Sequence, residues 1–368
     1  MNKKERTELQ DEIVQEVVTG SSGLLNLAPR LGKTRIIIQV IKRDKPKSIL
    51  WVTPSSELAE NEIPKEFNKW GAKRFKKDLV TSTWASLSKI TGYYDLIILD
   101  EVQKITGAHL AVLKRLQSKG QILGMTGTPS STISKQEIYE ELGLKVIYQL
   151  LMDEAVEKGV LADYTVNIIK VPLSHKEDVH IKAKTFEFIT SEYKQYQYLT
   201  KQVEQFKGTI KAKFPILNRM RAIKDSNSKF EVTKKLLNII KGKKLIFCSS
   251  IKQAEKFSPY TFHSKTDDSN LKKFQEGIIP EVYMVNSGGT GFTYKELDHL
   301  VVTQINSDNN GDSSQKITRT LLKQPKGYTA CIWIIILEGT QDEVWLTSLL
   351  KKFNPDKVVV HNNINELT

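Results

Sequence analysis

Short apolar segments that alternate with stretches of helical periodicity constrain the fold of this chain most. Strands separated in this way form parallel sheets covered by helices, because each helix carries the chain back to the starting edge of the sheet. The sequence therefore predicts an α/β fold of two lobes, each a mostly parallel sheet covered by helices. The predicted strands are GLLNLA, ILWVTP, LVTST, DLIILDE, QILGMTGT and KVIYQL in the first series, and KKLIFCSS, EVYMVNS, HLVVTQI and TACIWIIIL in the second.

The length of 368 residues also favours two domains, since single compact cores of this size are uncommon. We predict a first lobe over residues 1–150 and a second lobe over residues 243–368. A connecting segment over residues 151–242 separates the two lobes. Within it, residues 174–242 lack strand-like runs and are predicted to form a short helical insert.

The net charge of +13 and the pI near 9.3 suggest a polyanionic partner. Lysine and arginine side chains displace the counterions that condense on phosphates, which favours binding to nucleic acids. A solvated, lysine-rich surface explains the same charge, so a motif has to decide between the two interpretations. In the helical insert, the spacing of Tyr193, Tyr196 and Phe186 favours packing in the core over base stacking.

Neither a membrane segment nor a zinc site is expected. The longest apolar run, ACIWIIIL at residues 330–337, is far shorter than the roughly 20 residues of a membrane span. The amino-terminal segment MNKKERTELQ lacks the apolar core of a signal peptide. Cys248 and Cys331 are isolated, and the histidines lack metal-ligand spacing. We therefore expect a cytoplasmic protein that is not secreted.

The segment NLAPRLGKTRI, residues 26–36, resembles a phosphate-binding loop. It lies between a predicted strand and a predicted helix, which is the context that such a loop requires. Backbone N–H groups at the start of the helix, among them those of Arg30, Leu31 and Gly32, would bind phosphate oxygens. Lys33 would reach the β- and γ-phosphates, and the Thr34 hydroxyl would bind Mg²⁺.

The loop departs from the usual pattern, because Leu27 and Arg30 occupy positions where glycine is expected. At the position of Arg30, a non-glycine residue is compatible with the loop if its φ stays negative. Pro29 restricts the turn, so we predict a negative φ for Arg30 and an outward side chain, with solvent as its default environment. The atoms that bind phosphate would then be unaffected.

A second motif, DLIILDEVQ, ends in an acidic pair. Asp100 and Glu101 follow a predicted buried strand, at the edge where parallel sheets bind their ligands. Hydrolysis of a γ-phosphate requires a carboxylate that holds the metal and a group that orients water. A strand that leaves the core through charged residues is the alternative, but the preceding phosphate loop favours the catalytic interpretation.

Six motifs follow one another along nearly the whole chain: GKT (32–34), LDEVQ (99–103), MTGTPS (125–130), LIFCSS (245–250), NSGGTGF (286–292) and QKITRTL (315–321). In this order they resemble motifs I to VI of the superfamily-two helicases and translocases. The segments LVTSTWASLSK, YYDLIILDEVQKI, GGTGFTYKELDHLVV and LEGTQDEVW most resemble Swi/Snf-type double-stranded DNA translocases and compact phage DNA helicases of the UvsW kind. The resemblance implies tandem RecA-like lobes and a prokaryotic or phage-infected cell.

The resemblance also implies ATP and Mg²⁺ as cofactors, and it assigns roles to matching residues. Asp100 would hold the metal, Glu101 would activate water, and Arg319, with Gln315, would reach the γ-phosphate. Additional nucleotide contacts would come from Gln10, which would read adenine, and from Gly289 and Gly291. Coupling of the nucleotide state would involve Gln103, Thr126 and Thr128. Nucleic-acid phosphates would be bound by Thr53, Pro54, Ser55, Thr81, Ser82, Thr83, Ser249, Ser250, Ser287 and Gly288.

Two of these assignments have simpler alternatives. Gln10 could be a solvated helix residue, and Arg319 could belong to the cationic face of an amphipathic helix. The final arginine of motif VI is Leu322 here, with Lys323 one place beyond. Because lysine lacks the planar fork of arginine, slow or altered hydrolysis is expected.

We thus predict an ATP-dependent DNA helicase or translocase that acts on double-stranded or branched DNA. An RNA helicase and a weakly hydrolysing, ATP-gated DNA clamp or adaptor are the alternatives.

Overall fold

The computed structural model describes residues 2–127, 129–130, 132–182, 187–285, 297–306, 317 and 329–367. The chain divides into two compact units. Of the described residues, those up to Leu161 and Ile317 belong to the first unit, and all others belong to the second. Each unit contains a parallel sheet with helices, so the predicted α/β fold of two lobes is confirmed. No helix among the described residues is long and apolar enough to cross a membrane.

The first unit is built on a six-stranded sheet in which every pair of neighbours is parallel. All six predicted strands of the first series are present. The strand order is β3-β2-β4-β5-β1-β6. The strands are β1 (Gly23–Leu27), β2 (Ile49–Thr53), β3 (Leu79–Thr83), β4 (Tyr94–Asp100), β5 (Gln117–Thr126) and β6 (Val146–Leu150).

Helices cover both faces of this sheet, which explains why β1 and β2 are buried along their whole length. The apolar sides of α1, α2 and α3 pack in one cluster, and those of α4 and α5 pack in another. The helices are α1 (Lys3–Glu16), α2 (Lys33–Asp44), α3 (Ile63–Lys69), α4 (Gly107–Leu116), α5 (Ile133–Glu141) and α6 (Met152–Glu157).

The second unit contains a seven-stranded parallel sheet and a separate antiparallel pair, β8-β9. The order in the large sheet is β11-β12-β10-β13-β14-β7-β15. The four predicted strands of the second series correspond to β10, β12, β13 and β14. The strands are β7 (Asp163–Val171), β8 (Val179–Lys182), β9 (Glu187–Thr190), β10 (Lys244–Phe247), β11 (Thr261–Phe262), β12 (Glu281–Met284), β13 (His299–Val302), β14 (Thr329–Leu337) and β15 (Val358–His361).

The second unit starts earlier than the predicted boundary at residue 243. Strand β7 lies within the segment predicted as a connection, yet it pairs along its full length with β14. Its pattern mixes buried apolar residues with Thr165, Asn167 and Lys170, so the sequence lacks a continuous apolar run there. The β8-β9 pair likewise falls within the region that was predicted to lack strands.

The helices of the insert are present and are tied to the second unit by buried polar contacts. Lys229 Nζ on α9 lies 2.6 Å from Asp342 Oδ2 on α12, and both side chains are buried. Glu192 at the start of α7 accepts hydrogen bonds from the hydroxyls of Ser226 and Ser228. The helices are α7 (Glu192–Gln205), α8 (Lys213–Lys224), α9 (Asn227–Ile239), α10 (Ile251–Phe257), α11 (Ser269–Gln275) and α12 (Gln341–Leu350).

Candidate functional site

The turn between β1 and α2 carries the GKT motif. β1 ends at Leu27 and α2 begins with Lys33 and Thr34, so the predicted strand-loop-helix arrangement is confirmed. Gly32 precedes the helix with a φ of 92°, and no side chain among the described residues caps α2. The first N–H groups of a helix have no intrahelical acceptor and lie at the positive end of its dipole. This end of α2 therefore suits an anion such as a phosphate.

The backbone of Arg30 adopts the left-handed conformation, with a φ of 68°, so the prediction of a negative φ is wrong. This conformation costs a non-glycine residue about 1–2 kcal/mol. Contacts with α1 explain it, because Arg6 Nη2 donates a hydrogen bond to Arg30 O and Gln10 Nε2 donates one to Leu31 O. Arg30 is also partly buried rather than fully exposed to solvent.

Gln10 packs directly against the phosphate loop. Its side chain is only 4% exposed, so the alternative of a solvated helix position is wrong. A Cβ atom added to Gly32 would lie closer than 3.0 Å to Gln10 Nε2, a separation that Cβ atoms essentially never adopt. The glycine thus gives space to a glutamine that is distant in sequence, and the side chain is held beside the nucleotide-binding loop that the sequence predicts.

The acidic pair lies where the sequence predicts it, at the end of β4. Asp100 is the last residue of the strand, and its carbonyl accepts a hydrogen bond from Trp84 Nε1 at 2.9 Å. Glu101 follows with a φ of 52°, and its Oε1 lies 3.5 Å from Lys33 Nζ. Both charged side chains are mostly buried, at 18% and 13% exposure, which strengthens their attraction relative to a surface pair. Two motifs far apart in sequence therefore meet in one site.

Strand register explains this meeting. β5 lies between β1 and β4, and it is parallel to both. Asn26 is aligned with Thr126, and Asp100 is aligned with Met125. The phosphate loop, the acidic pair and the buried Thr126 consequently lie at the same edge of the sheet. The carboxyl edge of a parallel sheet is the usual place for a ligand.

Gln103 connects the acidic pair to α5. Its Nε2 donates to Glu101 Oε2 at 2.8 Å, and its backbone carbonyl accepts a hydrogen bond from Lys135 Nζ. The residue is fully buried, and its Oε1 has no hydrogen-bond partner among the described residues. Because a buried polar atom without a partner costs about 1–3 kcal/mol, Gln103 is poorly explained by stability alone.

Comparison with known proteins identifies the fold. No protein-family model matches the chain. The DNA 3'-5' translocase XPB2 of Sulfurisphaera tokodaii is 22% identical over 92% of this chain and 84% of its own length. The helicase domain of Pyrococcus furiosus Hef superposes with a TM-score of 0.53 at 14% identity, over 92% of this chain and 97% of that one. The chain therefore shares the fold of this helicase domain, in agreement with the resemblance of its motifs to those of superfamily-two helicases and translocases.

Two further solved structures share this fold. Saccharomyces cerevisiae Dbp5 bound to RNA and ADP BeF3 gives a TM-score of 0.56 at 12% identity, over 98% of this chain and 93% of that one. The ATP-dependent Type ISP restriction-modification enzyme LlaBIII, bound to DNA, gives 0.57 at 14% identity, over 99% of this chain and 31% of that one. The resemblance to Swi/Snf-type translocases and UvsW-like helicases is not tested by these proteins and stays a prediction.

In the first unit, the residues predicted to bind nucleic-acid phosphates lie in or just after β2 and in β3. Thr53 and Thr83 are aligned at the ends of the neighbouring strands β2 and β3. Their hydroxyls have local partners, since Thr53 Oγ1 donates to Ser55 O at 2.9 Å and Thr83 Oγ1 accepts from Ser86 N at 3.2 Å. Pro54 follows the last residue of β2, and Thr81 and Ser82 lie within β3.

In the second unit, Ser249 and Ser250 lie between β10 and α10. Ser250 caps α10 by accepting a hydrogen bond from Gln253 N at 3.2 Å. Ser249 Oγ donates to the carbonyl of Lys224 at 3.2 Å. Ser250 lines a cavity of about 140 Å³ whose wall also contains Lys224 and two further lysines. The positive lining is compatible with the predicted contact to phosphates.

The remaining predicted site residues lie outside the described residues. Among them are Arg319, which is predicted to reach the γ-phosphate, and Leu322, which stands where motif VI usually has its final arginine. Their positions stay predictions. The residues are Thr128, Ser287, Gly288, Gly289, Gly291, Gln315, Arg319, Leu322 and Lys323.

Two arginines that the sequence motifs do not reveal, Arg6 and Arg35, lie beside the phosphate loop. Burial lowers the pKa of Arg6, and the nearby charge of Arg35 lowers it further. Arg35 Nη1 is buried without a hydrogen-bond partner among the described residues, while Nη2 lies 3.6 Å from Asp11 Oδ1. Two adjacent guanidinium groups favour an anion nearby. Arg6 precedes Gln10 by one helical turn, and this spacing is a signal that the sequence contains.

Proposed function

We propose that this chain is an ATP-dependent DNA helicase or translocase. The observation that carries the proposal is the 3.5 Å contact between Lys33 Nζ and Glu101 Oε1, which joins the phosphate loop to the acidic pair. The superfamily-two fold and the similarity to a DNA translocase agree with it. Hydrolysis of ATP in such a site would supply the energy for movement along a nucleic acid.

The described residues fit a nucleoside triphosphate with Mg²⁺. The uncapped start of α2 offers N–H groups, Gly32 has no Cβ to obstruct the loop, and Lys33 provides a positive charge. Thr34 and Asp100 offer the hard oxygen ligands that Mg²⁺ prefers. Bound Mg²⁺ would neutralise charge on the phosphate oxygens.

The protein groups divide the remaining tasks. Glu101 would orient the attacking water and accept its proton, and Gln103 would hold Glu101 in place through the 2.8 Å hydrogen bond. Gln10 would contact the adenine. Arg319, with Gln315, would stabilise charge on the γ-phosphate, a contribution typically worth about a thousandfold or more in turnover.

DNA is the proposed substrate because the motif resemblance and the named activity of XPB2 both point to it. An RNA helicase is the second candidate, since Dbp5, which has the same fold, was solved bound to RNA. Contacts from serine and threonine hydroxyls to phosphates would position either nucleic acid without reading its sequence.

ATP hydrolysis measured side by side with double-stranded DNA, single-stranded DNA and RNA tests the proposal. We expect DNA to stimulate the wild type, and Lys33→Ala and Glu101→Gln to reduce turnover to background. Lys65→Ala, an exposed lysine of the same unit, is the matched control and should hydrolyse ATP like the wild type. Greater stimulation by RNA would favour the RNA helicase. Wild-type turnover no faster than that of Lys33→Ala and Arg319→Ala would favour an ATP-gated clamp.

A further inference from the structure

The hairpin formed by α7 and α8 carries a concentrated positive charge. Between Gln205 and Lys224 the sequence contains six lysine and arginine residues and no aspartate or glutamate. Lys207, Lys211 and Lys213 are exposed, and none of them forms an ion pair with a described carboxylate. We call residues 207–217 the basic tip. Its charges are available to a polyanion.

Large apolar side chains are exposed on the same tip. Ile210 is 91% exposed and Phe214 is 72% exposed. Phe214 and Leu217 are three residues apart on α8 and therefore share one face of the helix. The opposite face contains the fully buried Ile223. The exposed residues are thus not required for packing of the hairpin.

The other aromatic residues of the hairpin have different surroundings. Tyr196 is buried, and its hydroxyl accepts a hydrogen bond from Gln341 N at 2.8 Å. Tyr193 is 41% exposed, so the predicted packing in the core is wrong for it, and its ring is tilted against that of His175 with centroids 4.4 Å apart. The predicted packing role is therefore confirmed for Tyr196, whereas Phe186 lies outside the described residues. Phe214, by contrast, is exposed and directly follows Lys213 in the chain.

We propose that the basic tip binds single-stranded nucleic acid, with Lys211 and Lys213 on phosphates and Phe214 stacked on a base. An exposed aromatic ring next to lysines is the chemistry that binds single strands without sequence preference. A second copy of this chain is disfavoured as the binding partner of the tip, because two positive tips would repel each other. The inference rests on the proposed function, and it adds a contact for a strand that is not base-paired.

Binding of a fluorescein-labelled oligo-dT to the full-length chain without nucleotide, followed by anisotropy, tests the inference. Phe214→Ala should weaken binding about 5- to 100-fold, the range for loss of one stacked base, and Phe214→Trp should retain the affinity. Lys211→Ala/Lys213→Ala should reduce the slope of log K against log salt concentration by about 1.4. Circular dichroism should remain unchanged, since all three side chains are exposed.

Matched controls come from other exposed sites of the chain. Tyr93→Ala removes an aromatic ring that is 71% exposed in the first unit, and Lys234→Ala/Lys235→Ala removes two exposed lysines of α9. Both variants should bind like the wild type. Equal affinity of Phe214→Ala and Tyr93→Ala would overturn the inference. Equal competition by oligo-dT and by a polyglutamate peptide would also overturn it, in favour of an acidic protein partner.

The proposed function is judged separately. If DNA stimulates ATP hydrolysis but the wild type does not bind oligo-dT, the tip inference fails and the proposed function stands. If oligo-dT binds through Phe214 but no nucleic acid stimulates hydrolysis, the motor proposal fails and the tip contact stands.

Discussion

Gly32→Ala should destabilise the phosphate loop by about 1–5 kcal/mol, because two penalties act at this position. A φ of 92° costs an alanine about 1–2 kcal/mol. Its Cβ would also overlap Gln10 Nε2, and forcing extra atoms into a packed region costs about 1–3 kcal/mol. The reduced freedom of alanine in the unfolded chain offsets about 0.4–1 kcal/mol of this.

A double-mutant cycle with Gln10→Ala separates the two penalties. Gln10→Ala removes Nε2, so Gly32→Ala in that background retains only the backbone term. We expect the two substitutions to be coupled by about 1–3 kcal/mol. Gly71→Ala is the matched control, because Gly71 has a φ of 67° and no atom within 4 Å of an added Cβ. It should show the backbone penalty alone, whether or not Gln10 is present.

Hydrogen exchange of amides in β1 and α2, measured by mass spectrometry on the full chain, reports the free energy of local opening there. Urea unfolding followed by tryptophan fluorescence provides the global value. Strict additivity of Gly32→Ala and Gln10→Ala would refute the contact between α1 and the loop. A cost of Gly32→Ala below about 0.5 kcal/mol would refute the left-handed conformation itself.

Three further substitutions test other parts of the structure. Arg30→Gly should be more stable than Arg30→Ala by up to about 1 kcal/mol in urea unfolding, because only glycine adopts φ of 68° without strain; the reverse order would contradict the positive φ. Lys229→Met should cost about 3–5 kcal/mol in the same assay by leaving the Asp342 carboxylate buried without its cation. Lys229→Met/Asp342→Leu should recover only part of the loss, because the N–H of Leu337, which donates to Asp342 Oδ2 at 3.0 Å, would lose its acceptor. Burial raises the pKa of Tyr139 from 10 to about 12. The unfolded chain therefore loses this proton first, so the free energy of unfolding should fall between pH 10 and pH 12, and Tyr139→Phe should show a smaller fall.

Much of the fold was predictable because its signals are local. A strand covered by helices on both faces is buried throughout, so β1 and β2 appear in the sequence as mostly apolar runs, and β4 contains such a run over residues 96–99. The carboxyl ends of parallel strands share one edge, which allowed the meeting of Lys33 with Asp100 and Glu101 to be expected from sequence order. Strand β7 was not predicted, because polar residues interrupt its apolar pattern.

The sequence by itself determined the two parallel sheets, the position of the phosphate loop and the place of the acidic pair, since each depends on patterns within a few residues. Only the tertiary structure decided the backbone of Arg30 and the burial of Gln10. Both depend on α1 packing against a loop some 20 residues away, and φ at a single residue responds to such contacts. The exposure of Phe214 likewise depends on which face of α8 the rest of the second unit covers.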